Sequence, residues 1–92
     1  MKITLNLVGI LSEHFGTDVL TVELANGARF GDLTNEIALR FGDRLPKSIW
    51  DKENMTFKPG ILCVGEGRDI DSRETLLKEN ENITVVILMA GG

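Results

Sequence analysis

The sequence predicts an α+β fold in which one main helix packs on one face of a mixed sheet of four to five strands. Apolar and polar residues alternate along residues 2–8 and 18–24, which is the period of a half-buried strand. Residues 83–88 form a strand-like, mostly apolar run. Residues 30–41 carry apolar side chains at helical spacing instead. A single helix can cover only one face of such a sheet. Because 92 residues suffice for only one core, residues 1–92 are expected to form a single domain.

The first two strands are predicted to form a hairpin. Residues 9–17, which connect them, are too few for the crossover of about a dozen residues that parallel pairing requires. The strands should therefore run antiparallel. Their inner face is expected to consist of Ile3, Leu5, Leu7, Leu20, Val22 and Leu24.

The main helix is predicted over residues 30–41. Its charges suit the helix dipole, because Asp32 and Glu36 lie in the first turns and Arg40 lies in the last. Glu36 and Arg40 also have the spacing of an i,i+4 ion pair, and Gly42 is expected at the C′ position. The side chains predicted to pack on the sheet are Phe30, Leu33, Ile37, Ala38 and Phe41.

Residues 43–60 are the least regular part of the sequence, with two prolines and mixed charge. They are predicted to form a long excursion that contains a short helical turn near residues 47–51. Trp50 is expected to anchor this excursion to the body of the protein, because its large apolar surface is costly to leave in water.

The last part of the chain is predicted to contain three strand-like segments, at residues 61–64, 68–70 and 83–88, with a glycine-rich turn between the first two. Leu76 and Leu77, in the polar connection before the last strand, are expected to face inward. In the last strand, alternation places Ile83, Val85 and Ile87 toward the helix and leaves Val86 and Leu88 on the opposite face. That apolar surplus indicates either a partner surface or ordinary scattered apolar exposure.

Composition narrows the function classes. With 42% hydrophobic and 26% charged residues, the sequence is typical of a soluble protein and contains no run long enough to span a membrane. The alternating N-terminus does not look like a secretion signal, so a cytoplasmic location is expected. A net charge of −4 disfavours nucleic-acid binding. The single Cys63 and His14 form no metal motif and are expected to be a packed thiol and a solvated imidazole in a connecting segment.

The sequence finishes with Gly91-Gly92 directly after the last predicted strand and its continuation, Met89-Ala90. Glycine has no Cβ, so a Gly-Gly pair can be drawn through a narrow channel to present its carboxylate to another enzyme. A frayed end without chemistry is the alternative explanation.

Three segments resemble the MoaD/ThiS family of sulfur-carrier proteins, which are small ubiquitin-like β-grasp domains. ANGARFGDL at residues 25–33 is similar to the family's turn and helix start, and ILCVGEGRDI at residues 61–70 to its strand and hairpin. LLKENENI at residues 76–83, followed by a strand and Gly-Gly, is similar to its final segment, although ENEN stands where the family usually has a Gly-Asp-type turn. The resemblance covers essentially the whole chain and is greatest to the MoaD-type small subunit of molybdopterin synthase.

The resemblance implies a carrier function in which Gly92 supplies the reacting acyl carbon. In the family, a ubiquitin-activating-type adenylyltransferase uses ATP to adenylate the terminal glycine, and a sulfur donor then converts the acyl-adenylate to a thiocarboxylate. The carrier presents this sulfur to a synthase large subunit or another acceptor enzyme, and for this sequence the resemblance favours molybdopterin synthesis. Gly91 would let the terminal carboxylate reach the active site of the partner enzyme. Val86, Leu88, Met89 and Ala90 would contact the partner. The chain itself would be a co-substrate without a bound cofactor, metal, nucleic acid or membrane.

Three further functions remain open at this stage. The activated terminus could form an isopeptide bond to a lysine, as in a ubiquitin-like modifier. It could carry sulfur for thiamine or amino-acid biosynthesis. The chain could also be a β-grasp interaction module whose terminus has no chemistry.

Overall fold

The computed structural model describes residues 1–88, which contain a five-stranded mixed sheet, a separate two-stranded hairpin and two helices. The strands are β1 (Lys2–Leu7), β2 (Val19–Glu23), β3 (Trp50–Asp51), β4 (Thr56–Phe57), β5 (Ile61–Gly65), β6 (Arg68–Asp69) and β7 (Asn82–Ile87), and the helices are α1 (Ile10–Phe15) and α2 (Phe30–Phe41). The predicted α+β class and main helix are confirmed. The tail residues 89–92 lie outside the described part of the chain.

The large sheet has the strand order β2-β1-β7-β5-β6. β1 and β2 pair antiparallel as predicted, β1 and β7 pair parallel, and β7 and β5 pair antiparallel. β7 is therefore the central strand, with a hydrogen-bonded neighbour on each side. The last strand of the sequence is thus among the most firmly held elements of the fold.

Alternation along the strands directs one set of side chains to the helix face, where Ile3, Leu5, Ile83 and Val85 are fully buried. α2 contributes Phe30, Leu33 and Ile37 to the same core. Ala38 and Phe41 are only partly buried at its margin. The predicted Glu36–Arg40 ion pair is present at 3.5 Å. Gly42 follows the helix but has right-handed φ and ψ angles of −48° and −42°, because the chain continues in a turn.

Residues 10–15 form the short helix α1, where the sequence analysis predicted a connecting segment. Leu11 and Phe15 are buried on one side of it, because residues four apart share a helix face. Gly16 ends the helix in a left-handed conformation with φ of 77°. His14 accordingly lies on a helix and is half-buried.

The excursion folds back onto the body through β3 and β4. The predicted helical turn is present at its start, since Ile49 and Trp50 donate their N–H groups to the Pro46 carbonyl. Trp50 is 2% exposed and meets Phe57 edge-on, with ring centroids 5.1 Å apart. The expected anchoring role of Trp50 is confirmed.

The connection before β7 corrects one prediction. Leu77 is buried, but Leu76 is 52% exposed. Both residues lie in an extended segment, in which Arg29 and Leu76 form a bridge and Leu77 donates its N–H to the Ala28 carbonyl. Successive side chains of an extended segment point to opposite sides, so the two leucines cannot both face the core.

Neither helix in residues 1–88 has the length and apolar character needed to cross a membrane.

Candidate functional site

The central strand β7 carries the chain toward the predicted reactive tail. Beyond its last residue, Leu88 still donates its N–H to the Gly60 carbonyl at 3.0 Å. On the other side, Val8 donates its N–H to the Val85 carbonyl at 3.1 Å. The backbone is therefore held on the β1 side to Val85 and on the β5 side to Leu88.

The predicted site residues fall into two groups. The structure describes Val86 and Leu88. The remaining candidates Met89, Ala90, Gly91 and Gly92 lie outside the described residues, so their roles stay predictions.

Four apolar side chains cluster on the face of the sheet that is turned away from α2, at the end from which the chain leaves β7. We call this cluster the exit patch, and it consists of Val8, Leu62, Val86 and Leu88. Val86 pairs with Leu62 in the β5–β7 register, and Val8 follows Leu7, which pairs with Val85. Leu88 is 64% exposed, whereas Val86 is half-buried.

The rest of this outer face is mainly polar. Thr4 and Asn6 of β1, Thr21 of β2 and Thr84 of β7 all point to it. Its apolar exceptions are Val19, which pairs with Asn6, and Val64, which pairs with Thr84. Solvated sheet faces normally carry such residues. The exit patch is therefore a local departure beside the tail, rather than a property of the whole face.

A carboxylate network fixes the chain just before β7. Glu81 is fully buried and accepts hydrogen bonds from the Glu66 N–H at 3.0 Å and the Lys78 N–H at 2.9 Å. Arg68 donates to the two oxygens of the same carboxylate, from Nη2 at 2.7 Å and from Nε at 3.3 Å. Both oxygens of the Glu81 carboxylate therefore bond to Arg68 of β6, which ties the start of β7 to the β5–β6 hairpin.

Electrostatics explains how this charge can be buried. Burial alone would raise the pKa of the Glu81 carboxyl, but the hydrogen bonds from Arg68 and from the Lys78 and Glu66 N–H groups hold that pKa below its usual value. Gly65 is required beside it, because a Cβ there would clash with Glu81 Oε2. The ENEN segment thus has a structural role that the sequence analysis missed. An arginine and a glutamate separated by 13 residues show no periodicity that would pair them.

The other candidate reactive groups do not form a catalytic centre. Cys63 is 4% exposed, and burial raises the pKa of its thiol to about 12. His14 lines a small groove of about 190 Å³ with mainly apolar neighbours, including Ile10, Ile61 and Ile87. No group of three or more His, Cys, Asp or Glu side chains that could hold a metal ion occurs in residues 1–88.

No protein-family model matches the sequence, and no curated protein matches it. Solved structures are similar to it over nearly its full length. SAMP1 from Haloferax volcanii has a TM-score of 0.79 at 14% identity, with 100% of each chain covered. Small archaeal modifier protein 1 from Methanosarcina acetivorans has a TM-score of 0.74 at 21% identity, covering 99% of this chain and 96% of that one. A Pyrococcus furiosus protein described as molybdopterin converting factor subunit 1 has a TM-score of 0.71 at 22% identity, covering 97% and 99%.

These likenesses establish the fold. The chain has the ubiquitin-like β-grasp fold that the resemblance predicted. At sequence identities of 14–22%, the similar structures do not assign functional roles to individual residues of this chain.

Proposed function

We propose that the protein is a sulfur carrier in which the carboxylate of Gly92 is adenylated and then converted to a thiocarboxylate. The observation that carries the proposal is the position of Gly91-Gly92, three and four residues beyond Leu88, whose N–H is bonded to the Gly60 carbonyl. A rigid central strand followed by glycines suits a carboxylate that must enter another enzyme. The β-grasp fold shared with modifier and converting-factor proteins supports the same function.

The chemistry requires a partner enzyme. A carboxylate is a poor acyl donor, so the partner would transfer AMP from ATP to the Gly92 carboxylate and release pyrophosphate. Sulfide-level sulfur from a donor would then attack the acyl carbon and release AMP, which carries away one carboxylate oxygen and leaves sulfur in its place. The carrier would supply no acid or base, and ATP would be bound by the partner. In this role the chain is a co-substrate rather than an enzyme.

The exit patch is proposed as the docking surface for the activating enzyme and for the sulfur acceptor. Docking there would place a partner beside the point where Leu88 leads into the tail. Clustered apolar side chains with a polar surround are typical of the centre of a protein interface. Met89 and Ala90 are proposed to extend the same contact.

The acceptor is proposed to be the large subunit of molybdopterin synthase. The similarity to the Pyrococcus protein supports this choice. A binding assay with a molybdopterin synthase large subunit tests this choice. If the protein bound a thiamine or amino-acid biosynthetic enzyme instead, that enzyme would be the sulfur acceptor.

A second candidate function is protein modification through an isopeptide bond from Gly92 to a lysine. The similarity to two archaeal modifier proteins favours this alternative. Both functions begin with the same acyl-adenylate and differ in whether sulfur or a lysine amine accepts the acyl group.

The shared first step is tested by ATP–pyrophosphate exchange with a candidate activating enzyme. Exchange is expected to depend on the intact chain and to disappear when Gly92 is deleted, because the carboxylate is then displaced by one residue. The deletion should leave the unfolding midpoint unchanged. Undiminished exchange with the shortened chain would contradict activation at Gly92.

A further inference from the structure

The strand β2 forms one edge of the large sheet, and part of its backbone has no partner within residues 1–88. In the β1–β2 register Thr21 faces Thr4. Thr4 donates its N–H to the Glu81 carbonyl on the β7 side, so the backbone groups of Thr21 point the other way, toward the open edge. The same alternation directs the N–H and C=O of Glu23 outward. Within residues 1–88 no other strand pairs with this edge.

The other end of the edge is blocked by a side chain. Thr17 Oγ1 donates to the Val19 carbonyl at 2.9 Å and accepts the Val19 N–H at 3.3 Å. These are the outward-pointing groups of Val19. The edge is thus closed at Val19 and open at Thr21 and Glu23, which fixes where an added strand could pair.

An acidic groove continues from the open end of β2. It lies between residues 24–28, which follow the strand, and α2, and its volume is about 500 Å³. Asp32 and Glu36 of α2 supply carboxylates, and Asn26 and Asn35 supply amides. Asp32 also accepts the Arg29 N–H at 2.8 Å, and Glu36 forms the exposed ion pair with Arg40 at 3.5 Å. The described residues that line the groove include no lysine or arginine. Side chains of a strand added to β2 would alternate between this groove and the outer face.

We propose that the open edge of β2 and the acidic groove bind an extended peptide segment of a partner protein that carries basic side chains. Thr21 and Glu23 would pair with its backbone by β-strand addition. Lysine or arginine at its inward positions would meet Asp32 and Glu36, which gives the charge complementarity that selects the partner. This surface lies two strands away from β7 and does not involve Gly92.

A second copy of this chain is a poorer occupant. Its edge strand, Val19–Glu23, contains no basic residue and ends in Glu23. Each copy also has a net charge of −4, so self-pairing would bring acidic surfaces together.

The test uses the full chain, isotope-labelled for amide NMR, and a short acetylated peptide of alternating lysine and threonine. Addition of this peptide is expected to shift the amide signals of Thr21, Glu23 and Glu36, and to leave Val86 and Leu62 unchanged. The same peptide with glutamate in place of lysine should not bind. Deletion of Gly92 should not alter the affinity, which separates this site from the proposed carrier function.

Substitution of proline at two positions of the edge strand β2 provides a matched pair of variants. Thr21→Pro removes an N–H that has no partner within residues 1–88, and edge strands tolerate proline with the missing N–H facing solvent. This change should weaken peptide binding by roughly tenfold through one lost hydrogen bond and the ring's bulk. Val19→Pro removes an N–H that Thr17 already occupies, so its effect should stay within about twofold.

A charge variant tests the groove without changing the strand. Glu36→Gln should weaken binding by about two- to fivefold, because exposed charge pairs contribute little individually. Glu79→Gln removes the same charge outside the groove and should have no effect. The proposal would be overturned if Thr21→Pro and Val19→Pro weakened binding equally, or if the glutamate peptide bound as well as the lysine peptide. Amide shifts confined to the exit patch, or peptide-independent dimers that pair through β2, would also overturn it.

Discussion

Glu81→Gln should destabilise the protein strongly, although it replaces one side chain by another of the same shape. The carboxylate accepts four hydrogen bonds, two of them from Arg68. An amide offers one acceptor oxygen, and its NH₂ group would face donors, so about half of these bonds are lost. Breaking a buried ion pair by changing one partner costs about 3–5 kcal/mol. Because Arg68 is 28% exposed and can be rehydrated, we expect about 2–3 kcal/mol.

The expected loss is large for a domain of this size. For domains of 60–100 residues, 1 kcal/mol corresponds to about 4–8 °C in Tm. Glu81→Gln should therefore lower the Tm by roughly 8–24 °C. Glu79→Gln is the matched control, because Glu79 is exposed and lies two residues away. Its effect should stay within about 0.5 kcal/mol.

The pH dependence gives a second signature. The pKa of Glu81 is lower in the folded protein than its ordinary value of 4.5. Its stabilising contribution is therefore complete above pH 4.5 and is lost as the pH falls through the folded-state pKa. The difference between wild type and Glu81→Gln should narrow on acidification.

Denaturant unfolding followed by circular dichroism at neutral and acid pH measures both effects. An unchanged midpoint for Glu81→Gln would show that the carboxylate network does not hold β7. A difference between wild type and variant that is the same at all pH values would show that ionisation of Glu81 plays no part.

Two further predictions concern the core and the exit patch. Leu33→Ala removes a fully buried side chain and should cost about 2–5 kcal/mol in denaturant unfolding, whereas Leu39→Ala, at an 82% exposed position of the same helix, should cost little; equal midpoints would exclude Leu33 from the core. Val86→Asp should keep the fold and weaken complex formation with an activating enzyme by at least about tenfold, whereas Thr84→Asp on the polar part of the same face should not. Calorimetry with equal affinities for the two aspartate variants would exclude the exit patch as the docking surface.

The strands and α2 were predictable because burial on one face imposes a period. Two-residue alternation identified β1 and β2, a strand-like apolar run identified β7, and the 3.6-residue period identified α2. The hairpin of β1 and β2 followed from the short connection between them. The mixed sheet with one main helix followed from their order.

Features without a sustained period were missed or misjudged. α1 has only six residues, so Leu11 and Phe15 give a single i,i+4 repeat between two glycines. β3 and β4 have two residues each, which is too few for alternation to be visible. The partnership of Arg68 with Glu81 depends on how two hairpins meet in space.

The candidate site was likewise predictable only in part. Alternation placed Val86 and Leu88 on the outer face, but the half-burial of Val86 depends on its neighbour Leu62. The open edge of β2 could not be inferred either, because strand order in a sheet depends on all the strands together.

Intact-protein mass spectrometry after incubation with ATP, a candidate activating enzyme and a sulfur donor tests the central claim most directly. Conversion of the Gly92 carboxylate to a thiocarboxylate should add about 16 Da, as one sulfur replaces one oxygen. Fragmentation should place the added mass on the C-terminal glycine. An unchanged mass under conditions that support ATP–pyrophosphate exchange, or a covalent conjugate to a lysine in its place, would contradict the carrier function.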